Sequence, residues 1–314
     1  MILSRVAPPI ALLAGACVPA PAVQPLPDLR QGTPMSTPSP SPSPAAQSSD
    51  AADQTVAESA AVLERSQFAL FRARLTQGGW ARGRAPSGTR SATLGDVPLS
   101  LGPQGEFFAA FDRDAEGDAV FSASLEDGTV RETRFAIAPR EWDIERVNVA
   151  LRPSGSSEAF RARRAPELEA IWTARQADTG AQGWRQDFVW PVRGRISGRF
   201  GAQRIYRGEP GSYHSGLDIA VPTGTPFVAP ADGTVVLAVT DFSLEGQLLI
   251  IDHGQGLNSA FLHCSRILVS EGERVRQGQT IGEVGASGRA TGPHMHWGLT
   301  WRGARLDPLL FVSE

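Results

Sequence analysis

Apolar residues fall in short runs over most of this chain, with few long stripes. Between Asp187 and Glu314 the runs Gly233-Thr-Val-Val-Leu-Ala-Val239, Gln247-Leu-Leu-Ile-Ile251 and Asn258-Ser-Ala-Phe-Leu-His263 are separated by Gly, Pro, Asp and Asn, a pattern of β-strands punctuated by turns. A second set, Phe107-Phe-Ala-Ala-Phe111, Ala119-Val-Phe-Ser-Ala-Ser124 and Val130-Arg-Glu-Thr-Arg-Phe-Ala-Ile137, predicts a small all-β accessory domain over 89–150. Helical spacing appears in two places. Leu63, Phe68, Phe71 and Leu75 form an imperfect stripe that predicts a helix from Thr55 to Leu75, within a helical segment 55–88. The charged stretch from Ser157 to Asp178 predicts a linking helix within 151–186, interrupted early by Pro166. The expected fold is mainly β: a C-terminal antiparallel β-sheet domain with a groove over 187–314, preceded by the small all-β accessory domain and linking helices.

The first 54 residues follow neither pattern. Arg5, an apolar stretch through Leu13, and Ala14-Gly15-Ala16 directly before Cys17 read as a secretory signal over 1–17. The cysteine at the junction resembles that of a bacterial lipoprotein signal, which implies a lipid on Cys17 as the one membrane attachment. Residues 18–54, including Ser36-Thr-Pro-Ser-Pro-Ser-Pro-Ser-Pro44, read as a disordered, extended tether.

Composition narrows the partners. No apolar run reaches the roughly 18 residues of a membrane span. The net charge of −3 and the absence of a long basic run speak against nucleic acid. With two cysteines, Cys17 and Cys264, no disulfide framework supports the fold. All thirty basic residues are arginine. That excludes a biotinyl or lipoyl carrier domain, whose Gly-rich turns the stretches around Ala229 and Arg274 resemble, because a carrier needs a lysine to modify.

The chemistry is concentrated in the last third, which holds all five histidines: His214, His253, His263, His294 and His296. With Asp218 they form three short patterns, His214-Ser-Gly-Leu-Asp218, His263 and His294-Met-His296, the inventory of a catalytic zinc site that takes three protein ligands and keeps a fourth position for water. In an extended segment His294 and His296 share a face, so one can hold metal while the other moves protons. Gly216 and Val221-Pro222 favour a turn entering a strand, through which His214 and Asp218 converge. His263 and Cys264 would lie on opposite faces of one strand, making Cys264 a buried thiol. His253 reads as a supporting residue, and Tyr206 and Tyr213 are the only tyrosines able to offer a hydroxyl. No His-Glu pair occurs, so the helical zincin signature is absent.

The segments His214-Ser-Gly-Leu-Asp218-Ile-Ala, Ala229-Pro-Ala-Asp-Gly233, Gly278-Gln-Thr-Ile-Gly282 and Gly288-Arg-Ala-Thr-Gly-Pro-His-Met-His296 resemble the LytM or lysostaphin-type zinc peptidases, the M23 family, from about Phe188 to Phe311. The one visible departure is Met295, where leucine is commoner. The resemblance implies that His214, Asp218 and His296 bind one Zn2+ per chain and that His263 and His294 are the catalytic histidines. It further implies an endopeptidase acting on peptide cross-links of peptidoglycan, in the periplasm of a Gram-negative bacterium. The alternative is a catalytically silent relative that binds wall or activates an amidase.

Overall fold

The structure is a computed structural model that describes residues 67–150 and 157–313. The expected signal, the tether, Cys17 and the first part of the helix expected from Thr55 lie outside the described residues.

Seven strands open the described chain: β1 (Ala69–Arg74), β2 (Trp80–Arg84), β3 (Thr89–Leu94), β4 (Val97–Leu99), β5 (Glu106–Ala110), β6 (Asp118–Leu125) and β7 (Val130–Ala136). They form two antiparallel sheets, ordered β1-β2-β5 and β4-β3-β6-β7. On β6 the alternate residues Ala119, Phe121 and Ala123 are buried, the period-2 signature that predicted it.

The expected helix is corrected here, because from Ala69 its described part is strand β1. A bulge between Leu70 and Arg72 inserts a residue into the pairing with β2 and breaks the strand's alternation. Phe71 in β1 and Phe68 and Leu75 on either side of it have a spacing that mimics a helical stripe, yet Phe68 is buried while Phe71 is 57% exposed. The Gly78-Gly79 pair closes the hairpin. Gly78 has φ +72, and a Cβ on Gly79 would lie 2.0 Å from the Arg74 carbonyl oxygen. Such a turn tolerates little but glycine.

Helix α1 (Glu158–Gln176) follows, with Ser157 as its N-cap accepting from the Phe160 N–H at 3.2 Å. Pro166 lies inside the helix without ending it, contrary to the expected interruption. Pro166 and Ala162, whose carbonyl loses its donor, are both exposed, so water can satisfy that group.

The remaining strands are β8 (Ile144–Val147), which precedes α1, and then β9 (Arg195–Gly198), β10 (Gln203–Tyr206), β11 (Glu209–Pro210), β12 (Leu217–Ala220), β13 (Pro226–Val228), β14 (Gly233–Phe242), β15 (Gly246–Asp252), β16 (Leu257–Cys264), β17 (Arg266–Ile267), β18 (Arg274–Val275), β19 (Thr280–Glu283), β20 (Met295–Trp301) and β21 (Ala304–Leu306). The principal sheet runs β18-β14-β15-β16-β20-β12-β9, with β21 paired to β20. Its pairs are all antiparallel.

Both faces of this sheet are covered, which explains why β15 reads as a continuous apolar run. Leu249, Ile251, Phe261, Trp297 and Leu299 belong to the main core. Leu237, Leu248, Ile250 and Ala260 pack instead with Ile171 and Ala174 of α1. Charged contacts fix the helix there: Arg164 donates to both oxygens of Glu245, at 2.6 and 2.7 Å, and buried Glu167 accepts from the Ser243 amide at 2.8 Å.

The N-terminal strands share this core. Trp80 and Phe108 pack on Phe311, with ring centroids 5.3 and 6.3 Å away, and the Trp80 indole donates to the Leu310 carbonyl at 2.9 Å. Side chains of this size stabilise by about 1.5–3 kcal/mol each when buried. β8 also crosses over, pairing in parallel with β10.

Candidate functional site

Strand register assembles the centre of the site. Asp218 on β12 lies directly opposite His296 on β20, so the carboxylate and imidazole meet across a single pair of strands. His214 arrives on the loop before β12 and is held at both backbone groups. Its N–H donates to the Ala202 carbonyl at 2.8 Å, and its carbonyl accepts from Gly201 at 2.9 Å. Two glycines leave room for these side chains: a Cβ on Gly216 would lie 2.6 Å from His296 Nε2, and one on Gly198 would lie 2.5 Å from Asp218 Oδ2.

The atoms His214 Nε2, Asp218 Oδ1 and His296 Nδ1 form a nearly equilateral triangle. Its sides are 3.0 Å (His214 to Asp218), 3.1 Å (His214 to His296) and 2.9 Å (His296 to Asp218). Tetrahedral zinc with bonds of about 2.0–2.1 Å places its ligand atoms roughly 3.3–3.4 Å apart, so the triangle needs to open by only a few tenths of an ångström. The donor set of two imidazoles and a carboxylate suits that metal.

Proton accounting sharpens the fit. His214 Nδ1 lies 3.0 Å from the Arg199 carbonyl oxygen and must carry a proton to bond it. In the neutral ring Nε2 is then an acceptor, yet it faces a carboxylate oxygen and a second imidazole nitrogen. A proton or a metal cation among the three atoms relieves this clash of lone pairs. Burial pushes the Asp218 carboxyl up, but the bonds from His214 and His296 outweigh it and hold the group well below the usual carboxylate range. Burial likewise opposes charge on His214, where the Asp218 and Arg199 contacts prevail and raise its pKa. On His296 burial prevails over Asp218, and the pKa falls.

His263 and His294 stand beside the triangle with ring centroids 5.0 Å apart. His263 Nδ1 bonds the Ser287 carbonyl and His294 Nδ1 the Gly292 carbonyl, each at 2.8 Å, and neither Nε2 makes a hydrogen bond among the described residues. His294 Nε2 is 3.8 Å from Asp218 Oδ1. His263 has φ +65, an uncommon conformation for a non-glycine residue that merits a functional account. Burial, reinforced by nearby His294, lowers its pKa against the Ser287 bond.

The other candidates separate from this cluster. His253 is fully buried, with Nδ1 2.8 Å from the Asp232 carbonyl and Nε2 2.8 Å from Ser259 Oγ, leaving no nitrogen for a metal. Cys264 is buried with its thiol pushed up to about 12 by burial. Tyr206 and Tyr213 line a cleft of about 690 Å³ that opens beside His214 and Asp218. Neither hydroxyl bonds to the histidine cluster among the described residues. The groups that sequence reading missed are backbone carbonyls, those of Arg199, Ser287 and Gly292, which fix ring orientation whatever their side chains.

Comparison with known proteins places this geometry. The profile of peptidase family M23 matches residues 212–308, a stretch that holds all five histidines and Asp218. The chain carries a peptidase M23 domain. It is 41% identical over 119 residues to the peptidoglycan DD-endopeptidase ShyA of Vibrio cholerae, covering 37% of this chain and 27% of that protein. It is 36% identical over 132 residues to the lipoprotein NlpD/LppB homolog of Pseudomonas aeruginosa, covering 42% of this chain and 40% of that one. The chain thus spans less than half the length of these two curated relatives. A crystal structure of a Pseudomonas aeruginosa protein assigned to peptidase M23 superposes with a TM-score of 0.60 at 29% identity, covering 76% of this chain and 95% of the other. The likeness extends well beyond the M23 domain into the strands that precede it.

Proposed function

We propose that the protein is a zinc-dependent endopeptidase that hydrolyses peptide cross-links of bacterial peptidoglycan. The observation that carries this reading is the triangle of His214 Nε2, Asp218 Oδ1 and His296 Nδ1, 2.9–3.1 Å apart, with two further imidazoles beside it whose Nδ1 atoms bond backbone carbonyls. His214, Asp218 and His296 hold the metal. Bound zinc supplies Lewis acidity that polarises a carbonyl and acidifies a water.

His263 and His294 supply the proton chemistry. Between them they take the proton of the attacking water, donate to the tetrahedral oxyanion and pass a proton to the leaving amine. Their Nδ1 atoms, tied to carbonyls, keep each ring in the tautomer that leaves Nε2 able to accept. The cleft lined by Tyr206, Tyr213 and Arg199 receives the peptide. The substrate class rests on the similarity to the ShyA endopeptidase. Export and a lipid on Cys17 rest on the N-terminal sequence and on the similarity to a protein named as a lipoprotein.

Purified protein incubated with muropeptides, with zinc or with chelator, tests the reading. Cleavage that chelator abolishes and zinc restores is expected. Stoichiometric zinc binding without any cleavage would instead favour the silent, wall-binding alternative.

A further inference from the structure

The sheet face that carries His296 continues along β20 through Gly298 and Thr300 and is roofed there by α1. Between helix and sheet lies a cavity of about 170 Å³, bounded by Arg164, Arg175, Ser215, His296, Thr300 and Arg305. Its charges do not balance. Arg164 is matched by Glu245 and Glu167, and Glu245 is the one carboxylate on the cavity wall. Among the described residues no carboxylate lies within ion-pair distance of Arg175 or Arg305, and Arg175 Nε is buried with no hydrogen-bond partner. Burial, followed by the nearby charge of Arg305, outweighs the opposing charge of Glu245 and pulls the Arg175 guanidinium below the ordinary arginine value. Arg305 is exposed, with its guanidinium 5.6 Å from the centroid of the Tyr213 ring, so the orphaned group is the Nε of half-buried Arg175, and native structures seldom leave a buried polar atom unpartnered.

The position of this cavity gives the imbalance a use. His296 bounds it, while His214 and Asp218 bound the open cleft, so the proposed metal site joins an open cleft to a small, positively charged recess. The volume falls well below the roughly 300 Å³ at which pockets take whole drug-sized ligands. It suits a carboxylate and the few carbons that carry it. Guanidinium groups are the side chains best shaped to bind one.

We propose that this recess binds a free carboxylate of the peptide substrate through Arg175 and Arg305, making the enzyme selective for peptides that carry one beside the bond to be cut. The inference rests on the zinc-endopeptidase reading for its substrate.

The test uses the full chain and two synthetic cross-linked peptides that differ only in having free or amidated carboxylates. Calorimetry in excess chelator gives the affinity for each, and assays with zinc give kcat and KM. Amidation is expected to weaken binding and raise KM by about tenfold to a hundredfold, the worth of a charge-assisted hydrogen bond. Arg175→Met and Arg305→Met are each expected to bind both peptides with the affinity that the wild type shows for the amide. The two arginines sit on different elements, α1 and β21, so a packing defect in one variant is not shared by the other, and thermal midpoints identify it. Equal affinity of the wild type for both peptides, no measurable binding of the free acid, or retained discrimination in both variants overturns the proposal. Failure to cleave either peptide with zinc counts against the endopeptidase reading, while the calorimetric comparison still decides the recess.

Discussion

His253 follows Asp252 at the end of β15, and His296 faces Asp218 between β20 and β12. Both imidazoles are buried beside a carboxylate in the same sheet. They differ in what their nitrogens meet. Those of His253 find a carbonyl and a hydroxyl at 2.8 Å each, and the ring is complete without any ligand. His214 Nε2 and His296 Nδ1 meet each other and Asp218 Oδ1, three atoms of the kinds that bind zinc converging on one point. Burial and a neighbouring acid therefore do not mark a metal site. Convergence of several such atoms on one point is what a metal site requires.

The largest effects should come from breaking the triangle. Asp218→Asn or His296→Ala is expected to reduce peptide release to the level of the chelated wild type, whereas His253→Ala retains zinc-dependent turnover. Turnover lost equally in all three would erase the distinction. Next come the flanking imidazoles: His263→Ala and His294→Ala should keep zinc but lower kcat by roughly 10²–10⁴-fold, the usual worth of positioned acid–base groups. Near-normal kcat in either removes that residue from the chemistry.

His253 offers a smaller effect with a defined pH dependence. Burial, opposed by the Asp232 carbonyl, holds its pKa at about 4, against an ordinary value of 6.5. The unfolded chain thus binds a proton that the folded chain refuses between those values. The associated stability is fully present above pH 6.5 and is lost as pH falls towards 4, by about 3 kcal/mol. Urea unfolding of wild type and His253→Gln at pH 7 and pH 4.5 measures it. The stability gap between the two should narrow on acidification, and a constant gap would contradict the assignment. The smallest effect belongs to Cys264. Its thiol is buried and donates only a long contact to Phe261, so Cys264→Ala should cost about 1 kcal/mol with unchanged zinc content.

Much of this contrast is legible in the residue string. The strands follow their apolar runs, and the residues grouped in the sequence, His214, Asp218, His263, His294 and His296, also meet in space. Three things are not legible, each for a physical reason. Phe68, Phe71 and Leu75 have a helical spacing although Phe71 lies in bulged β1 and the other two flank it. The joint core around Trp80, Phe108 and Phe311 depends on contacts some 200 residues apart in sequence, which no local pattern encodes. The carbonyls that orient the histidines belong to Arg199, Ser287 and Gly292, and a carbonyl has no residue type to read. The unmatched Arg175 and Arg305 emerge only once α1 lies across the sheet.

Native mass spectrometry of the purified chain after addition of zinc tests the central claim most directly. One zinc ion on the wild type and on His253→Ala, and none on His214→Ala or His296→Ala, is the result predicted. A wild type that takes up no zinc, or ligand variants that hold it as firmly as the wild type, would contradict the account.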